Sequence, residues 1–171
     1  RLVALGHRRI AYMHASLSLT FAEQRFRGFM SAMQAAGLTP EPELVREAGF
    51  LRRAAFAVMN SLLNLPVPPT AVIVDNNQAG VGAIRAVVER GLVLGRDCSL
   101  VIYDGLPEDT LLDQRDVTAI EQPTSQEAGR KLAELMLDVI NGVPHSRLQV
   151  LWTPTLHPGT NGPRRRDPRR R

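Results

Sequence analysis

Short apolar runs separated by helical stretches limit the fold more than any other feature of this chain. "RIAYM" (Arg9–Met13), "TAVIV" (Thr70–Val74) and "SLVIY" (Ser99–Tyr103) are short and dense in branched or aromatic residues. They show no alternation with polar residues, so each reads as a strand buried on both faces. Between the first two lie "TFAEQRFRGFMSAMQAAG" and "LRRAAFAVMNSLLN", and between the last two lies "QAGVGAIRAVVERG". In the first of these helices Ala22, Phe26, Phe29, Met30 and Met33 recur at three- and four-residue steps and form one apolar face. Thr20 and Glu23 have the spacing of a capping box at its start, and Gly37 ends it. "ELVRE" reads as a short strand, "VTAIEQP" as an extended segment, "SQEAGRKLAELMLDVINGVP" as a long amphipathic helix and "RLQVLWTP" as a last strand. Strands alternating with helices predict an α/β fold, a parallel sheet with helices on both faces.

In such a sheet, ligands bind in the crevice beyond the carboxyl ends of the strands. His14, Ser16, Ser18 and Thr20 follow the first strand, with Arg25 about one turn into the next helix. Phe50 follows the second, Asp75, Asn76 and Asn77 the third, and Asp104 the fourth. A guanidinium donates in a rigid fork, a carboxylate accepts, an amide does both, and an aromatic face covers C–H surface. Converging at one sheet edge, that set suits the vicinal hydroxyls of a sugar or the edge of a purine. Each residue also has a plainer reading. Asn76 or Asn77 can cap the helix that follows, and Asp104-Gly105 can be an ordinary turn. Arg25 can form a surface ion pair, and Phe50 can be core.

The totals narrow the function. Among 171 residues, 44% are hydrophobic and 22% charged, the balance of a globular protein. No apolar run is long enough to span a bilayer, so no membrane partner is expected. The net charge of +4 comes from the end of the chain. "PRRRDPRRR" holds six of the 21 basic residues and one of the 17 acidic ones, so the body keeps 15 and 16, a net of −1. The folded body therefore offers no general basic face to nucleic acid, and the tail reads as disordered. A single cysteine, Cys98, excludes a disulfide framework and a thiolate cluster, and fits a reducing, cytoplasmic setting. Enzyme signatures fail. There is no G-x-S-x-G elbow or Walker loop, "GVGAIR" puts Arg85 where a dinucleotide fingerprint needs its third glycine, and the four histidines lack ligand spacing. No cofactor or metal is expected.

Taken together, "LVALGHRRIAYM", "RFRGFMSAM", "PPTAVIVDNNQAGVGAIRAVVERGLVLGRDCSLVIYDG" and "VTAIEQPTSQEAGRKLAELMLDVINGV" resemble the effector-binding core of the lactose-repressor/galactose-repressor family of bacterial transcription regulators. They run in that family's order from about residue 2 to 156. The resemblance implies a type I periplasmic-binding-protein-like fold, with ligand between two α/β subdomains. Carried over by position, it assigns ligand contacts to Arg25, Asn76, Asp104, Phe50 and Gln122, with Thr20 in a loop that adds a hydroxyl. Where the family has Asn-Asp this chain has Asn76-Asn77. Ile102 stands in place of a glycine, and Gly105 in place of an acid or amide.

The implied division is 1–122 as the C-terminal effector-binding subdomain and 123–156 as a helix and strand returning to the N-terminal subdomain, with 157–171 a disordered Arg/Pro-rich tail. Most of that N-terminal subdomain, a hinge helix and a helix-turn-helix would precede the first residue. Leu132, Leu135, Met136, Val139 and Ile140 would then lack the sheet they normally cover. The implied function is sensing of a small molecule (a sugar, sugar phosphate or purine-like compound) by a homodimer that binds operator DNA through the helix-turn-helix. A periplasmic or secreted solute-binding protein of the same fold is the alternative.

Overall fold

The computed structural model describes residues 1–107 and 117–159. Most of the loop after Asp104, and the tail from residue 160 on, lie outside these residues. The elements alternate: β1 (Ile10–His14), α1 (Thr20–Ala35), β2 (Val45–Glu47), α2 (Arg52–Leu63), β3 (Ala71–Val74), α3 (Asn77–Glu89), β4 (Ser99–Tyr103), β5 (Thr118–Glu121), α4 (Ser125–Ile140) and β6 (Thr155–His157). The sheet runs β2-β1-β3-β4-β5-β6. Pairs from β2 through β5 are parallel, and β6 is antiparallel to β5. The order reverses beside β1: the chain goes out to β2, then crosses back to β3. That reversal opens the ligand crevice of a doubly wound sheet.

The pleat divides the strands between two cores. Ala11, Met13, Val72, Val74, Leu100 and Ile102 face α2 and α3, where Ala55, Met59, Leu62, Ala83, Ile84 and Val87 close the layer. Ile10, Tyr12, Ala71 and Val101 face α1, against Phe29 and Met33. Burying each large side chain contributes about 1.5–3 kcal/mol, which is why runs without polar alternation form the central strands.

Glycines set the distances on the α2/α3 side. A Cβ on Gly82 would lie 2.2 Å from the Arg52 carbonyl oxygen, so the close approach of α2 to α3 depends on its absence. A Cβ on Gly80 would lie 2.7 Å from the Ile102 side chain. The branched residue at 102 is accommodated here: Ile102 is fully buried against Gly80, on the opposite face of the sheet from Tyr12 and Val101.

Two sequence expectations change. Thr20 does not cap α1. The Leu19 N–H bonds the Ser16 carbonyl at 3.0 Å, and this turn puts Leu19 at the extended cap position and Thr20 inside the helix. Glu23, freed from a capping role, pairs with Arg27 at 2.5 Å. A capping box occurs instead on α4, where the Thr124 hydroxyl accepts from the Glu127 N–H and the Glu127 carboxylate accepts from the Thr124 N–H. The last strand is Thr155–His157, beyond the expected "RLQVLWTP", whose first residue, Arg147, ends a 3-10 turn, His145–Arg147. The register Ala119↔His157, Ile120↔Leu156 and Glu121↔Thr155 gives β5 an outer partner, and edge backbone groups are costly to leave unpaired.

Helix α4 contributes no buried residue. Leu132 is 68% exposed, Met136 61% and Ile140 74%, so its apolar stripe has no partner among the described residues.

Candidate functional site

Asp75, at the end of β3, is the anchor of the sheet edge. Its carboxylate is 1% exposed and accepts from the Ala15 N–H at 2.7 Å and from the Asn76 amide at 2.9 Å. Its own N–H donates to the Met13 carbonyl at 3.0 Å, and its carbonyl accepts from Arg25 Nη1 at 2.5 Å. One residue thus ties β1, β3 and α1 together at the switch point. A buried carboxylate is tolerated because donors satisfy it.

Asn76 is the N-cap of α3. Its Oδ1 accepts from the Ala79 N–H at 2.8 Å. Its Nδ2 donates to the Gly49 carbonyl at 3.0 Å and to Asp75 Oδ1. Both amide hydrogens are therefore engaged inside the protein, and the side chain is 5% exposed. Asn76 holds the loop after β2, which carries Phe50, against the end of β3. Asn77, the next residue, lines the open cleft.

Arg25 is held between aromatic faces. Its guanidinium carbon sits 3.5 Å from the Tyr103 ring centroid and 4.9 Å from that of Phe21. Phe50 is 48% exposed and tilts against Phe21 at 6.2 Å. These contacts fix the guanidinium plane while leaving donors on its other nitrogens, an arrangement suited to orienting a polar ligand beside an apolar wall. The surface ion pair open to Arg25 on sequence grounds is replaced by the Asp75 carbonyl.

Asp104 and Gln122 meet just beyond the ends of β4 and β5. Asp104 has φ +66°, the only positive value at a non-glycine residue among those described, followed by Gly105 at +62°. Aspartate tolerates this region better than most residues, and a conformation costing about 1–3 kcal/mol is kept where the surroundings hold it. They do here: the Asp104 N–H donates to the Ile120 carbonyl at 2.8 Å, and its Oδ1 accepts from Gln122 Nε2 at 3.0 Å. Both side chains are exposed and line a cleft of about 580 Å³ shared with Asn77, Glu121, Thr124 and Trp152.

The strand ends therefore bring together Arg25, Phe50 and Asn76 on one side and Asp104 and Gln122 on the other. Thr20 is exposed on the first turn of α1. Phe21, Tyr103 and the anchoring role of Asp75 were missed. A signal existed for Phe21, which stands one helical turn before Arg25. Tyr103 was hidden as the last residue of a buried run, where β alternation turns it to the α1 face.

A family model described as a periplasmic binding protein-like domain matches residues 1–160. The HTH-type transcriptional regulator RafR of Escherichia coli is 38% identical over 161 residues, 94% of this chain and 47% of that protein. The chain belongs to the LacI family, in its periplasmic binding protein-like domain. Solved structures of transcription regulators agree. A transcriptional regulator from Yersinia pestis superposes with a TM-score of 0.88 at 38% identity, over 96% of this chain and 59% of that one. The lac repressor dimer bound to operator and the anti-inducer ONPF gives 0.71 at 32% identity, over 83% and 42%. The chain spans about half the length of the curated LacI-type relatives it matches.

Proposed function

We propose that this chain is the small-molecule-sensing part of a bacterial DNA-binding transcription regulator of the cytoplasm. Its ligand is a sugar or sugar-like compound bound at the carboxyl edge of the sheet. The observation carrying this reading is the set of groups along the carboxyl edge of the sheet: Arg25 held between Phe21 and Tyr103, Phe50 against Phe21, and the Asp104–Gln122 pair after β4 and β5. That set offers donors, acceptors and an apolar face, and nothing in it resembles a nucleophile with its base. Regulators dominate the relatives, which favours this reading over a periplasmic solute-binding protein.

The proposed architecture makes residues 1–122 one wall of the cleft. Residues 123–156 return to a second subdomain, whose sheet would cover Leu132, Leu135, Met136, Val139 and Ile140. Ligand bound more tightly in one orientation of the two walls shifts the population toward it. In a homodimer that shift changes the spacing of two DNA-binding heads, and so operator affinity. The test is isothermal titration of the full-length regulator with sugars, sugar phosphates, nucleosides and purines, followed by operator binding with and without the compound that binds. One compound should bind, lose its affinity in Arg25→Ala and Asp104→Ala, and alter operator affinity. Binding that survives both substitutions would place the ligand elsewhere and overturn the reading.

A further inference from the structure

One buried side-chain polar atom of the described residues has no hydrogen-bond partner, the hydroxyl of Tyr12. Tyr12 is 2% exposed in the middle of β1, and its ring stacks on Phe29 at 4.7 Å and on His14 and Phe26 at 5.9 Å. Phenylalanine would make the same stack. The hydroxyl adds only the cost of its own desolvation, which native proteins rarely leave uncompensated.

The residue stands at a cavity. A space of about 190 Å³ lies between α1 and the sheet, walled by Tyr12, Arg25, Phe29, Ile73, Asp75 and Tyr103 among others. Burial chiefly holds the Tyr12 phenol above its usual range, the Asp75 charge adds to that and the Arg25 charge opposes it. The cavity thus shares Arg25, Asp75 and Tyr103 with the sheet edge proposed as the ligand site.

We propose that the Tyr12 hydroxyl is a specificity-determining contact that hydrogen-bonds an uncharged hydroxyl of a sugar-like effector entering this cavity. The inference rests on the reading of the sheet edge as an effector site. A phenol both donates and accepts, as a sugar hydroxyl does. The walls are mostly apolar, and the single cation among them already has the Asp75 carbonyl as partner and the Asp75 carboxylate as neighbour. An anionic group such as a phosphate would be buried beside that carboxylate, which is unfavourable, so the group admitted is neutral.

The experiment uses the full-length regulator, its Tyr12→Phe and Arg25→Ala variants, and calorimetric titration with D-glucose, D-galactose, sucrose and cellobiose, and with glucose 6-phosphate and adenosine. A neutral sugar should bind the unaltered protein, and Tyr12→Phe should weaken it about tenfold, the scale of one buried hydrogen bond. The unliganded Tyr12→Phe protein should melt no lower than the parent, because it loses no internal partner. Among monodeoxy analogues of that sugar, one should bind the parent more weakly and bind Tyr12→Phe no more weakly than the intact sugar does. Unchanged sugar affinity in Tyr12→Phe, with affinity lost in Arg25→Ala, overturns this contact and leaves the effector site standing. A lower melting temperature with unchanged affinity assigns the hydroxyl to a buried water and also overturns it. Binding of only the phosphate or the nucleoside, or of none of these compounds, overturns the sugar reading and this contact together.

Discussion

At residue scale, Asn76 is an organiser of the site, and its three hydrogen bonds say how much depends on it. Asn76→Ala removes the N-cap of α3 and a donor to the buried Asp75 carboxylate, and should cost about 2 kcal/mol or more in urea denaturation. Asn76→Asp keeps the cap acceptor but sets a second carboxylate beside Asp75, so it should not restore stability. Ile102 and Gly80 form a second unit. Gly80→Ala should destabilise by about 1–3 kcal/mol through overpacking, and Ile102→Val in that background should recover part of the loss. A double-mutant cycle measures the coupling, and additive losses would show that the two residues do not share one space.

At element scale, α4 differs from the other helices. Its capping box and Gly142 (φ +77°) define both ends locally, yet none of its residues is buried. Its local stability therefore rests on its caps and on side-chain pairs such as Lys131–Glu134 at 2.9 Å. Amide exchange within α4 should be much faster than in α3, whose Ala79, Ala83, Ile84 and Val87 are buried. The cap is also pH-dependent. Bonds from the Thr124 backbone N–H and then its hydroxyl hold the Glu127 carboxyl below its usual range. A depressed carboxyl stabilises fully above its unfolded pKa and loses that contribution as pH falls through the lower folded value. Exchange in α4 should accelerate as pH drops below the ordinary carboxylate range, after correction for intrinsic rates, and Thr124→Ala, which removes the hydroxyl but keeps the backbone N–H, should weaken that dependence.

At the scale of the whole molecule, the apolar stripe of α4 is uncovered among the described residues. Replacing Leu132, Met136 and Ile140 by lysine should leave the melting of residues 1–171 nearly unchanged, because surface substitutions usually stay within about 0.5 kcal/mol. In the full-length regulator the same changes should lower stability by about 1.5–3 kcal/mol for each side chain that is buried there. Equal effects in both proteins would mean that α4 has no further partner.

The residues themselves determined the alternating α/β order, the parallel sheet and the polar strand ends. Runs such as "TAVIV" and "SLVIY" have one stable use, burial on both faces, and periodicity carries that information locally. Position at a common sheet edge likewise singled out Arg25, Phe50, Asn76 and Asp104. Tertiary structure decided what each does there. Thr20 lost its cap to a turn closed by Ser16, Asn76 was drawn wholly inside by Gly49 and Asp75, and Arg25 was clasped by Tyr103, 78 positions away. The last strand settled on Thr155–His157, where β5 offered an open edge. Hydrogen-bond partners and stacking faces belong to pairs of residues brought together by the sheet, so no local window of sequence contains them.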